Sequence, residues 1–185
     1  MRPLFTERLE LVALTVPMVE AVLSGDRARA EDLVGAEFPV SWPGEQLIAR
    51  AFPYSLDAIR ADPYKRLWGD RLLVSRAGSR RVIGSVIFHG YPDDGVAEVG
   101  YGVEESSQSL GYATEGTRAC VGWALGQPHV RTVTATTFPW HRASLRVIEK
   151  CGMRKIDTRE HETLGELWVF GRTRGHDVIE GPRVY

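Results

Sequence analysis

The stretch from Ala97 to Gly116, AEVGYGVEESSQSLGYATEG, constrains this chain more than any other. It opens with an alternating, glycine-spaced apolar run (Val99, Tyr101, Val103) that reads as a strand. Polar turn residues follow at Glu104 to Ser107, then Gln108, Ser109 and Leu110. From Gly111 the pattern becomes helical through Ala113, Ala119, Val121, Trp123, Ala124 and Leu125, until Gly126-Gln127-Pro128 stops it. A strand feeding a small-residue loop that opens a helix leaves about four backbone N–H groups without intrahelical partners. They lie at the positive end of the helix dipole, so the sequence predicts an anion cradle suited to a phosphate or diphosphate.

The cradle has neither the Gly-Lys-Ser/Thr of a P-loop nor the three glycines of a dinucleotide fingerprint. Gln108-x-x-Gly111-x-Ala113 is instead similar to the Gln/Arg-x-x-Gly-x-Gly/Ala signature of the GNAT superfamily of acetyl-CoA-dependent N-acyltransferases. An unrelated phosphate binder built on the same loop is a distant rival reading.

Net charge near −1 gives no electrostatic reason to expect nucleic acid or an anionic membrane as partner. A length of 185 residues fits one domain, taken as residues 1–175, with an unpatterned tail over 176–185. No apolar run approaches a membrane span, and Met1-Arg2-Pro3-Leu4 leads into charged residues, unlike a signal peptide. Cys120 and Cys151 have no CxxC or Cys/His spacing and read as reduced core thiols of a cytoplasmic protein. His89, His129 and His176 lack metal-ligand spacing, so they read as structural and no metal is expected.

Seven strands are expected. Thr6 to Leu14 alternates charged and apolar residues. Arg71 to Ser75 and Arg81 to Phe88 form a hairpin across Ala77-Gly78-Ser79-Arg80, and a turn at Gly90 to Gly95 delivers the chain to Val96 to Val103. Arg131 to Thr137 is rich in β-branched residues. Met153 to Glu160 and Glu166 to Arg174 close the chain. Helices are expected after Thr15, over Ala28 to Leu33, Glu45 to Phe52 and Ser55 to Ala61, with breaks at Pro53 and Pro63. Phe38, Trp42, Phe52 and Tyr54 in this first third read as core packing or as a substrate-pocket wall.

His141 to Cys151 is an amphipathic helix, with Leu145, Ile148 and Cys151 on one face and Gly152 placed for a left-handed C-terminus. The run from Pro139 to Met153 resembles the Asn-x-x-Ser-x-Arg-Val-x-Glu-Lys-x-Gly-Phe segment of the ribosomal-protein N-acetyltransferase (RimJ/RimL-like) branch of GNAT enzymes. Gly111-Tyr112-Ala113-Thr114-Glu115 and Thr6-Glu7-Arg8-Leu9 are typical of that branch as well. Two departures stand out. His141 replaces the family's asparagine beside the pantetheine arm, and Ile148 occupies the position where many GNAT enzymes carry a tyrosine acid.

The resemblance implies a mixed α/β (α+β) fold: a mostly antiparallel sheet of about seven strands, splayed at the cofactor site, with helices on both faces. It implies acetyl-CoA as cosubstrate and direct transfer to a primary amine, either a protein N-terminal amine or a small molecule. It also carries the family's tendency to dimerise. Amides around Leu110, Gly111, Tyr112 and Ala113 are expected to hold the diphosphate, with Gln108 and Ser109 also in the cofactor site, and the edge of Tyr101 and Val103 the pantetheine. His141 and Ser144 line the arm from the second helix, and Arg146, with Arg118 on the first helix, is a candidate for the phosphates. The amine must be neutral to attack; at pH 7 this costs about 1 kcal/mol for an α-amine and about 4.6 kcal/mol for a lysine. Glu98 is the first candidate for the base, with Glu160, His161 and Glu162 behind it. Ser144 is the first candidate for the general acid and His141 the second. The rival from another class is a GNAT-fold acyl-CoA sensor that has lost catalysis.

Overall fold

The computed structural model describes residues 3–40, 43, 55–161 and 163–175. The expected Glu45–Phe52 helix, Trp42, Phe52, Tyr54, Glu162, His176 and the tail lie outside the described residues.

An eight-stranded sheet carries the fold. Its strands are β1 (Leu4–Phe5), β2 (Leu9–Ala13), β3 (Arg71–Ser75), β4 (Val82–Phe88), β5 (Val96–Val103), β6 (Thr132–Thr137), β7 (Arg154–His161) and β8 (Gly165–Thr173). They pair in the order β1-β2-β3-β4-β5-β6-β8-β7, and every neighbouring pair is antiparallel except β5 with β6. Eight strands form among the described residues where about seven were expected, because Leu4–Phe5 folds back through the turn at Thr6 to pair with Glu10 and Leu11.

Helices cover both faces. Before β3 come α1 (Val16–Leu23), α2 (Arg27–Val34), α3 (Leu56–Ala61) and α4 (Pro63–Arg66). Pro63 was read as a break, but it opens α4: Asp62 accepts a hydrogen bond from the Lys65 amide, and proline suits the first helical turn. Met18, Ala21, Ala30 and Val34 of α1 and α2 pack with Phe38 onto Leu72, Val74, Val82 and Ile87 of the sheet. The opposite face carries α5 (Tyr112–Leu125) and α6 (Arg142–Lys150), whose Cys120, Val121, Leu145 and Ile148 join Leu73, Val86, Phe88, Val99, Val133 and Phe170. Helix α5 comes close because Gly116 has no side chain; a Cβ there would lie 2.6 Å from Leu73 Cδ2. Burial pushes the Cys120 and Cys151 thiols up to about 12 and about 11, so both are inert core groups at neutral pH.

One polar cluster ties the first strands to α5. The Glu115 carboxylate accepts from Thr6 Oγ1 at 2.6 Å, from the Arg8 amide at 2.9 Å and from Arg8 Nε at 2.7 Å. Arg8 Nη1 donates onward to the Leu110 carbonyl at 3.0 Å, and its guanidinium lies 4.4 Å from the centre of the Tyr112 ring. The segment at Thr6 and the Thr114-Glu115 pair, separate features of the sequence, are thus two halves of one clamp. Burial raises the Glu115 carboxyl, but the hydrogen bonds from Thr6 and Arg8 and the guanidinium charge outweigh it and hold the group below its usual 4.5.

Replacing Glu115 with alanine removes charge-assisted bonds from three donors. The expected loss is about 2 kcal/mol, seen as a melting temperature lower by about 4–8 °C. A carboxyl depressed by folding stabilises fully above its unfolded value. The wild-type advantage over Glu115→Ala should therefore be complete at neutral pH and shrink as pH falls below 4.5, which melting curves of the two proteins across that range measure.

Candidate active site

Strands β5 and β6 pair at only three positions, Val96 with Thr132, Ala97 with Val133 and Glu98 with Thr134. Beyond them β5 stays on β4 as far as Val103, and β6 stays on β8 as far as Thr137. The two strands therefore fork. A cavity of about 430 Å³ lies along the β5 side of the fork, lined by Tyr101, Gly102 and Val103, by Gln108, Ser109 and Gly111 to Thr114, and by one side of α6.

The loop from β5 to α5 is held by its own side chains. Glu104 is buried and accepts from the Ser106 amide at 2.9 Å, from Ser106 Oγ at 2.6 Å and from Ser107 Oγ. Arg81 Nη2 stands 3.7 Å away. Burial raises this carboxyl, and the serine bonds and the arginine reverse the shift to leave it low. Gln108 Nε2 donates to the Val103 carbonyl at 3.1 Å, which ties the loop back to the strand. Ser109 and Gly111 then take left-handed backbone angles, with φ of 62° and 86°. Such turns aim successive amides into one concavity. Among the described residues, no acceptor meets the amides of Gly111, Tyr112 and Ala113, and no side chain caps α5. Leu110 points its side chain to solvent and contributes its backbone.

Helix α6 supplies the far wall with His141, Ser144, Arg146, Val147 and Lys150. Arg146 and Lys150 are exposed, four residues apart, at the cavity rim. Arg118 is directed elsewhere and donates to the Lys150 carbonyl at 2.6 Å. Ser144 meets Tyr101 across the cleft: the phenol donates to the Ser144 carbonyl at 3.0 Å and lies 2.9 Å from Ser144 Oγ. Burial pushes the Tyr101 phenol up to about 12, so it keeps its proton at neutral pH. Ile148 is in the core, 1% exposed.

His141 stands at the N-cap of α6 with φ −83° and ψ 71° but forms no side-chain cap. Asp26 caps α2 with nearly the same backbone, φ −78° and ψ 78°, by accepting from the Arg29 amide at 3.1 Å. An imidazole in place of the family's asparagine therefore leaves a cap unmade.

Glu98 lies outside this cavity. It is on the sheet face away from α5 and α6, where it accepts from Thr136 Oγ1 at 3.0 Å. His161 and Glu160 are farther out, at the end of β7. The His161 ring stands edge-on to Phe138, 5.8 Å between centres, and Phe138 stacks on the exposed Trp140 at 5.1 Å. Sequence reasoning missed Thr136, Lys150 and the Arg8–Glu115 clamp, whose roles arise from register and long-range pairing. A larger cavity of about 490 Å³ lies at the β2 end, lined by Val12, Leu14, Tyr64 and Trp68. Its one carboxylate, Glu10, is held by Arg80 at 2.5 Å, so the chemistry is better served by the fork.

A family model described as "Acetyltransferase (GNAT) domain" matches residues 8–154. An uncharacterized N-acetyltransferase of Bacillus subtilis (strain 168), YjdG, is 26% identical over 148 residues, spanning 80% of this chain and 86% of that protein. Among solved structures, a ribosomal-protein-S5-alanine acetyltransferase from Vibrio fischeri superposes with a TM-score of 0.64 at 14% identity, covering 95% of this chain and 98% of that one. The ribosomal L7/L12 α-N-protein acetyltransferase RimL, in complex with coenzyme A, gives 0.60 at 15% identity, covering 95% and 100%. These two likenesses are of fold. Mixed α/β architecture with a mostly antiparallel eight-stranded sheet agrees with them.

His141→Asn should supply the missing cap by accepting from the Ser144 amide. The expected gain is about 1 kcal/mol, a rise of about 2–4 °C in melting temperature. Differential scanning calorimetry on the two proteins checks it.

Proposed function

The chain belongs to the acetyltransferase (GNAT) domain family, and from that premise we propose that it transfers an acetyl group from acetyl-CoA directly to a primary amine. The observation that carries this reading is the fork of β5 and β6, opening on the same cavity as the unmet amides of Gly111, Tyr112 and Ala113. The residues present fit coenzyme A. The amides at the mouth of α5 would hold the diphosphate, with dipole help of about 0.3–1 kcal/mol. Arg146 and Lys150 offer cations along the same rim. The open edge of Tyr101 to Val103 would pair with the amides of the pantetheine arm as another strand would. An N–H of that edge would polarise the thioester carbonyl.

When bound, acetyl-CoA supplies an activated acetyl carbon and a leaving thiolate. The protein's part is orientation and two proton transfers. Ser144 is the proton donor in this reading. The phenol proton of Tyr101 is directed to the Ser144 carbonyl, so across the 2.9 Å contact the serine hydroxyl donates to the phenol oxygen, and it turns from Tyr101 to donate to a neighbouring sulfur. A thiol of pKa about 8.5 asks little of its acid. Base assistance comes from the other face of the sheet, where Glu98 marks the root of the fork.

We place the protein in the cytoplasm; no helix among the described residues is long and apolar enough to cross a membrane. The acceptor in this reading is an α-amine, either the N-terminus of a protein or a small molecule. Its modest pKa lowers the cost of presenting a neutral nucleophile, and two structural neighbours are named for acetylation of ribosomal proteins.

Release of free thiol from acetyl-CoA, followed across peptide α-amines, polyamines and amino sugars, tests the proposal. Saturable binding of acetyl-CoA with no thiol release would instead identify an acyl-CoA sensor. Ser144→Ala should lower kcat at least tenfold with the KM for acetyl-CoA within about twofold; an unchanged kcat removes Ser144 from the chemistry.

A further inference from the structure

The residue after β4 is His89. Its amide donates to the Glu98 carbonyl at 3.0 Å, which continues the antiparallel β4–β5 register by one pair beyond Phe88 and Val99. His89 and Glu98 are thus directly opposite on adjacent strands, where side chains share a face and touch. That face is the one away from α5 and α6, because Phe88 and Val99, one position along, pack into the helical core.

Three side chains then form a row across three strands. Thr136 on β6 donates to Glu98 Oε1 at 3.0 Å, and His89 Nδ1 stands 3.9 Å from the same oxygen. The other ring nitrogen faces the fork: His89 Nε2 is 3.4 Å from the point where a Cβ on Gly100 would be. Gly100 is the second β5 residue beyond the last β5–β6 pair, at Glu98, and it has no side chain to fill the space. Both side chains of the pair are partly exposed, at 44% for His89 and 31% for Glu98, so the row is open to an incoming molecule.

We infer that His89 is the general base that takes the proton from the acceptor amine, with Glu98 as its positioning residue and Thr136 fixing the carboxylate. This rests on the acetyl-transfer reading above. With the Nδ1 hydrogen facing Glu98, Nε2 carries the lone pair and faces the root of the fork. The carboxylate stands 3.9 Å from Nδ1 and orients the ring, and catalytic contacts that are long in the free protein tighten around substrate. The step balances. The amine nitrogen bonds to the acetyl carbon and its proton passes to Nε2; the carbon–sulfur bond breaks, and the thiolate takes a proton from Ser144. The imidazolium gives its proton to water and Ser144 recovers one from water, so both side chains return to their starting state.

The test uses two small nucleophiles that need no tailored pocket: methylamine, which is protonated at neutral pH, and hydroxylamine, which is not. For His89→Gln the methylamine rate should fall about 100-fold, and the ratio of methylamine to hydroxylamine rates should fall about tenfold or more. Glu98→Gln should move the same ratio in the same direction by less, and it carries the comparison alone if His89→Gln does not fold. Equal losses for both nucleophiles would assign His89 a structural role and overturn the inference. So would unchanged rates. Wild-type protein that releases no thiol with either nucleophile overturns the transfer reading itself, and the base with it.

Discussion

Three residue pairs of parallel ladder, from Val96 to Glu98 on one side and Thr132 to Thr134 on the other, decide what this sheet can do. Had β5 and β6 paired along their whole lengths, the middle of the sheet would be closed backbone. Each strand instead keeps its outer partner and releases its inner one. Backbone amides and carbonyls left this way, away from water, would cost about 1–3 kcal/mol each. They are tolerable here because a cavity of about 430 Å³ keeps the β5 edge in reach of solvent or of a ligand with amides of its own.

The fork also divides the chemistry by face. Tyr101 and Ser144 meet on the helical side, and Glu98, Thr136 and His89 line up on the other. The strand's period of two makes this division, since Tyr101 and Glu98 are an odd number of residues apart on β5. In the proposed transfer, a thioester carbon set at the fork has its proton donor on one side and its proton acceptor on the other. The two groups would not compete for the same space or neutralise each other.

Much of this was legible in the sequence. Alternation at Val99, Tyr101 and Val103 and the glycine before Tyr112 place a strand, a turn and a helix mouth with no help from the rest of the chain, and the structure has β5 ending at Val103 and α5 beginning at Tyr112. Side chains whose place depends on register were not legible. Histidine spacing along the chain gives His89 no partner, and only the β4–β5 pairing puts it opposite Glu98. Arg8 and Glu115 are 107 residues apart, so no local pattern joins them. Pro63 shows the opposite failure: a local rule read as a break, where Asp62 one position earlier turns the same proline into a helix start. Leu4–Phe5 is too short for any periodicity to announce it.

The clamp between Arg8 and Glu115 bears on the order in which the molecule is made. While the chain is being synthesised, the first two strands emerge long before the acidic residue that will receive them. The guanidinium that steadies the Leu110 carbonyl must wait for more than half of the polypeptide. Closing so long a loop is slow and carries an entropic penalty that nearer contacts do not. The helix mouth therefore cannot mature on a nascent fragment. It is finished only when both ends of that loop are present, so a product that stopped short of Glu115 would lack the clamp that braces it.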